Sequence, residues 1–194
     1  MLDTGARKYV QPFIALGGKF FIKLGLSANN VTMIALFLGI TAGILSYFGY
    51  PLLALGSLWI SGYLDAVDGT IARIQGSTGF GTVMDITFDR LVEISIIIGL
   101  ALRYPGNEIY FLFLACSIIV TMTIFLTTGT MADKASEKSF YYQAGLAERT
   151  EGFIMFSLMM VFTSHLKILT LIFTLMIIIT AVQRFLEAKK ILDR

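Results

Sequence analysis

Between Leu24 and Leu64 the chain carries no Asp, Glu, Lys or Arg. A helix that crosses the hydrocarbon layer needs about 20 apolar residues. This stretch therefore holds two crossings if a turn divides it, and Gly49-Tyr50-Pro51 supplies one. Composition agrees: 56% of residues are hydrophobic and only 14% charged, against about 25% charged in a soluble domain. The apolar runs are continuous rather than alternating, which argues for helices over a membrane barrel.

Six crossings are expected, at about 30–49, 52–73, 80–102, 109–131, 147–164 and 167–186. Ahead of them, basic and aromatic residues alternate through Arg7-Lys8-Tyr9 and Lys19-Phe20-Phe21-Ile22-Lys23. That pattern suits an amphipathic helix lying in the membrane interface. The expected fold is thus all-α and polytopic, with an interfacial helix and entry (1–28), a six-helix bundle (29–186) and a cytosolic tail (187–194) in a single domain. The first 23 residues lack the compact apolar core of a cleavable signal peptide.

Lysine and arginine bias sets the orientation. Both termini, the 74–79 turn and the 132–149 loop fall on one side. That side holds Arg7, Lys8, Lys19, Lys23, Lys134, Lys138, Arg149, Arg184, Lys189, Lys190 and Arg194; the other holds Arg103 and Lys167. The richer side is assigned to the cytosol. The lone Cys116 reads as a small apolar residue and the lone His165 as an interfacial loop residue. No nucleic-acid partner is expected.

Four aspartates stand against this apolar background. They lie in Asp65-Ala-Val-Asp68-Gly69-Thr-Ile-Ala72-Arg73 and Gly81-Thr-Val-Met-Asp85-Ile-Thr-Phe-Asp89. At about 100° per residue, Asp65, Asp68, Gly69 and Ala72 share one helix face, and Gly81, Asp85 and Asp89 share another. The short turn between them makes the two helices neighbours whose acidic faces meet at the cytosolic boundary. Counting Glu93, the two spans hold five acids against Arg73 and Arg90. Like charges so close need compensation. Hard divalent cations with oxygen ligands provide it, and two ions about 3.5–4 Å apart form a clamp suited to displacement at phosphorus. Intramembrane acids also serve ion-coupled transport, and some only pair with arginine. Glycines that admit a close ligand and an arginine suited to phosphate favour phosphate chemistry.

The eight positions Asp65, Asp68, Gly69, Ala72, Arg73, Gly81, Asp85 and Asp89 resemble the signature of the CDP-alcohol phosphotransferases, integral membrane enzymes of phospholipid biosynthesis. The family pattern is D-x2-D-G-x2-A-R, a spacer, then G-x3-D-x3-D. The spacer here is seven residues, about one shorter than is common. The resemblance implies that a CDP-linked lipid, usually CDP-diacylglycerol, meets a small alcohol and releases CMP. By the same resemblance Asp65, Asp68, Asp85 and Asp89 would hold Mg2+ or Mn2+, with two ions expected. Asp89 would also act as the base, while Gly69, Ala72, Arg73 and Gly81 would contact the cytidine diphosphate.

Ser27-Ala28-Asn29-Asn30-Val31-Thr32 is similar to the family's Pro-Asn-x-x-Thr entry, with Ala28 in place of proline. Asn29 and Thr32 then help seat the nucleotide; the other reading of this stretch is a plain helix N-cap.

Lys134, Lys138, Arg149 and Arg184 are the candidates for a second anion pocket, which a phosphorylated acceptor such as glycerol 3-phosphate or inositol phosphate needs. Ordinary positive-inside charge is the alternative for them. Glu148-Arg149-Thr-Glu151 resembles a segment of the inositol-phosphate branch. Serine or another free alcohol is the competing acceptor, and a cation-coupled transporter the competing class. The resemblance further implies a homodimer. The compact chain leans to a prokaryotic inner membrane.

Overall fold

The computed structural model describes residues 2–135 and 145–193, with side chains from 10 to 131 and from 145 to 193. Among the described residues every regular element is helical: α1 Leu2–Lys23, α2 Ala28–Phe48, α3 Pro51–Gln75, α4 Gly79–Arg103, α5 Glu108–Ala135, α6 Arg149–Val161 and α7 Leu166–Leu192. Among the described residues, three stretches are long and apolar enough to cross a membrane: Ala28–Phe48, Glu108–Met131 and Thr163–Leu192. α3 and α4 carry the acidic motif, which dilutes their hydropathy, and α6 is only 13 residues long.

The boundaries have local causes. The Ser27 side chain accepts from Asn30 N at 3.3 Å and caps α2. Gly49, at φ 79°, closes α2 in the left-handed region. Pro51 then opens α3, where its missing N–H is no loss. Between the acidic helices the turn narrows to Gly76–Thr78: Gly76 takes φ 100°, and Thr78 Oγ1 accepts from Gly81 N at 3.0 Å to cap α4. The segment expected as the tail is helical for most of its length. α7 continues to Leu192, because Glu187-Ala-Lys189-Lys190 are good helix formers with bases at the negative end of the dipole.

The chain forms two compact units, one spanning Thr4–Pro105 and the other Gly106–Arg194 with Met1–Asp3. In the first, α2 packs along both α3 and α4. The acidic helices, expected simply as neighbours across a turn, are both braced on α2. Lipid offers no hydrophobic drive between helices, so small residues and hydroxyls do the joining. Ser57 and Ser61 of α3 donate to Leu38 O (2.8 Å) and Ala35 O (2.7 Å) of α2. On the α4 side, a Cβ on Gly43 would strike the Ser95 carbonyl, and one on Gly99 would strike the Gly43 carbonyl. α1 lies against α3: Gly17 faces Tyr63 and Val67, Gly18 faces Thr70, and Tyr63 Oη donates to Phe13 O at 3.1 Å. Val31, Ala35, Leu64, Val67 and Ile71 form the buried centre, with Ile14, Phe21 and Ile22 packed on it.

In the second unit α7 packs against α5 and α6. Phe156 and Phe173 meet edge to face, centroids 5.2 Å apart. Thr121 Oγ1 reaches Ile177 O at 3.3 Å to link α5 to α7. His165 is exposed in the single 3-10 turn between α6 and α7, and Cys116 is exposed on α5.

Candidate active site

Asp65 and Asp68 project from α3 one turn apart, and Asp85 from the second turn of α4. One carboxylate oxygen from each lies within 4.8 Å of the others. Asp65 is 8% exposed and Asp68 4%; Asp85 is half-buried. Magnesium–oxygen contacts run about 2.0–2.1 Å, so ligands on opposite sides of one ion stand about 4 Å apart. Adjacent ligands stand closer still, about 3 Å apart at that bond length, so side-chain rotation that draws the three oxygens together would let them share a hard divalent cation. An all-carboxylate donor set suits magnesium or manganese and disfavours soft metals. Asp89, half-buried one turn further along α4, is not a member of the three.

Arg90 Nη1 pairs with Glu93 Oε2 at 2.6 Å on α4. With that pair set aside, the acidic motif itself contains four aspartates and one base, Arg73, whose Nη2 donates to Thr70 Oγ1 at 2.7 Å. The net excess of three negative charges is unchanged by the pairing.

Space beside the acids is kept open by glycine. A Cβ on Gly69 would approach only Arg73 Nη1, at 3.8 Å, and Ala72 beside it is half-buried. A Cβ on Gly81 would sit 3.2 Å from Asn29 Oδ1 and 3.0 Å from Thr78 Oγ1. Asn29 thus reaches α4 with its side chain, while the cap of α2 belongs to Ser27. Thr32 is buried, and its hydroxyl donates to Ala28 O at 2.9 Å. Sequence reasoning passed over Thr70 and Thr78. A threonine three residues before Arg73 and another three before Gly81 were the available signals.

Of the four basic candidates for an anion pocket, Arg149 and Arg184 are seen. Arg149 opens α6 with its guanidinium 5.6 Å over the Phe153 ring; Arg184, buried on α7, stacks 4.7 Å over Phe125. The Lys134 side chain and all of Lys138 lie outside the described residues.

A membrane-embedded helical fold with a carboxylate triad beside small residues and an arginine defines a class: metal-dependent enzymes acting on phosphate esters of lipids. Residues 26–187 match the family model of the CDP-alcohol phosphatidyltransferases, and the chain belongs to that family. It is an integral membrane enzyme that transfers a phosphatidyl-type group from a CDP-linked lipid to an alcohol and releases CMP. The transporter reading falls with that assignment.

The chain is 32% identical to an archaetidylinositol phosphate synthase of Pyrococcus horikoshii, over 100% of this chain and 99% of the relative. It is 30% identical to a phosphatidylinositol phosphate synthase of Streptomyces avermitilis, over 78% of this chain and 63% of the relative. Its fold is similar to the crystal structure of Mycobacterium tuberculosis phosphatidylinositol phosphate synthase with CDP-DAG bound. The TM-score is 0.72 at 21% identity, covering 89% of this chain and 91% of that one. A second structure of that enzyme, in complex with manganese and citrate, gives the same score over 88% and 86%.

Proposed function

We propose that the chain joins the lipid phosphate of a CDP-linked lipid to a hydroxyl of inositol phosphate. The observation that carries the reaction is the convergence of Asp65, Asp68 and Asp85 within 4.8 Å, with Asp89 one turn away. The acceptor reading is supported by relatives named archaetidylinositol phosphate synthase and phosphatidylinositol phosphate synthase, and by the stacked Arg149 and Arg184.

Asp65, Asp68 and Asp85 would hold divalent ions, two in number and magnesium or manganese in kind, with Asp89 completing the site. Bound there, the metal supplies charge neutralisation at the pyrophosphate and at the departing CMP. Asp89, set apart from the three, takes the proton of the acceptor hydroxyl. The hydroxyl oxygen forms its bond to the β-phosphorus, the bond to the bridging oxygen breaks, and CMP leaves with that electron pair. Gly69, Ala72 and Gly81 let the cytidine diphosphate approach the backbone. Arg73, oriented by Thr70, pairs with phosphate, and Asn29 seats the nucleotide beside Gly81, with Thr32 stiffening the turn below it. Arg149 and Arg184, with Lys134 and Lys138, bind the acceptor's phosphate.

The reading extends to six crossings, with α1 in the interface. Phe13, Leu16 and Phe20 form an exposed stripe on α1, continued by Leu24 just past its end, Lys19 and Lys23 are exposed beside it, and Gly17 and Gly18 face inward. The active site then faces the cytosol of a prokaryotic cell, with the protein in the inner membrane as a homodimer.

The test is CMP release by purified protein from CDP-diacylglycerol, or from CDP bearing an archaeal ether lipid. The acceptor panel holds inositol phosphate, glycerol 3-phosphate, free inositol, serine and choline. Release with inositol phosphate, lost on chelation and restored by magnesium or manganese, supports the reading. Release with another acceptor only would replace inositol phosphate while keeping the reaction.

A further inference from the structure

Three consecutive backbone amides precede α6, and each donates to a side chain. Gly145 N donates to Glu148 Oε1 at 3.2 Å, Leu146 N to Gln183 Oε1 at 3.1 Å, and Ala147 N to Thr180 Oγ1 at 2.8 Å. Thr180 is fully buried, and its hydroxyl proton goes to Met176 O at 2.9 Å. Its one hydroxyl is thereby used both as donor and as acceptor. Gly145 lies so close that a Cβ there would strike Thr180 Cγ2. Glu148 is buried as well, at 8% exposed.

Such a strap is more than a helix start needs. A side-chain cap satisfies one amide of the first turn, whereas here the segment ahead of the helix is tied to a different helix. The two ties on α7 flank a functional candidate: Arg184 follows Gln183 directly and Thr180 by one turn. On the other strand of the strap, Arg149 lies two residues beyond Ala147. The register between the two arginines is therefore fixed through the ties to Thr180 and Gln183.

We propose that Thr180, Gln183 and Glu148 are positioning residues for the phosphate of a phosphorylated acceptor, acting by holding Arg149 and Arg184 in one register. The inference rests on the acceptor reading given above, in which those arginines bind that phosphate. A phosphate needs its cationic partners placed to within a fraction of an ångström. Arg184 is held within α7 against Phe125, whereas Arg149 is the first residue of a short helix, where ends fray.

The experiment compares wild type with Thr180→Val, Thr180→Ser and Gln183→Met in steady-state CMP release. The KM is measured separately for inositol phosphate and for the CDP-lipid. Thr180→Val and Gln183→Met should each raise the inositol phosphate KM about 5- to 10-fold, with kcat and the CDP-lipid KM within about twofold. Thr180→Ser, which keeps the oxygen, should restore the KM. Hydrogen exchange reads the strap itself: Ala147 should lose protection in Thr180→Val and keep it in Thr180→Ser.

A rise shared equally by both substrates, or an unchanged inositol phosphate KM with Ala147 protection lost, overturns the inference. Gln183 is exposed, so Gln183→Met keeps the test alive if the buried Thr180→Val does not fold. If wild type itself releases no CMP with any phosphorylated acceptor, the acceptor reading fails first, and the strap's exchange pattern remains as a separate result.

Discussion

Asn29 Oδ1 lies 3.2 Å from the point where a Cβ on Gly81 would stand, so a side chain from the first turn of α2 meets the first turn of α4. The two residues are 52 positions apart, yet they border the same space as the acidic face. Replacing Gly81 with Ala forces Asn29 or Thr78 to give by a few tenths of an ångström. The expected result is a rise of about 10-fold in the KM for the CDP-lipid, with the protein still folded. An unchanged KM in Gly81→Ala and in Asn29→Ala would remove this corner from the nucleotide site.

Gly69 and Gly43 should respond in opposite ways to alanine. At Gly69 the added methyl meets only Arg73 Nη1 at 3.8 Å. Helix propensity then favours Ala by about 0.8–1.0 kcal/mol, so stability should hold or rise while activity falls at least 10-fold. At Gly43 the methyl meets the Ser95 main chain, which cannot swing aside, and overpacking should lower stability by about 1–3 kcal/mol. Thermal unfolding in detergent, set beside CMP release, separates the two.

Asp65→Asn or Asp68→Asn should weaken manganese binding and abolish CMP release together. Asp89→Asn should leave most of the manganese affinity and lower kcat by about 10²–10⁴-fold, the range for loss of a general base. The checks are manganese titration by electron paramagnetic resonance and turnover on the same samples. Equal loss of metal affinity in all three variants would make Asp89 a ligand first and remove its separate role.

Arg103 closes the far end of the first unit. Its Nη1 donates to Tyr47 O at 2.9 Å, and its guanidinium lies where a Cβ on Gly49 would go. Carbonyls at a helix C-terminus attract such a cation. Arg103→Ala should lower unfolding stability by about 1–2 kcal/mol and leave the KM for both substrates unchanged. A change in either KM would show that this end communicates with the acids.

The helices were legible as long runs with few charges, punctuated by Gly49-Tyr50-Pro51 and Arg103-Tyr-Pro105, and three of the stretches are long and apolar enough to cross a membrane among the described residues. The acidic face was legible because a step of three or four residues survives in any helix. What a single sequence does not carry is which helix packs on which. The spacing of Gly39 and Gly43 is a small-residue pair of the kind that admits a close neighbour, but nothing in it says that the neighbour is α4 at Val92 and Ser95. The entry to α2 was ambiguous between capping and ligand binding, since Ser27 and Asn29 are both good caps and only geometry divides their roles. The strap before α6 was hidden for the opposite reason: Thr180 and Gln183 sit in an apolar run where a hydroxyl is expected to bond its own helix, as Thr180 also does.

The contact between Gly43 and Gly99 is main chain against main chain. The height of α4 beside α2 is thus set by atoms that every residue shares, and the identity of the flanking side chains is secondary to it. Bulk can drift among the valines, isoleucines and leucines around this crossing, altering how well the gaps are filled. The offset of Asp85 and Asp89 from α3 would stay where it is. In mechanical language the glycine pair is a datum surface: tolerances elsewhere in the bundle are measured from it and do not accumulate at the acids.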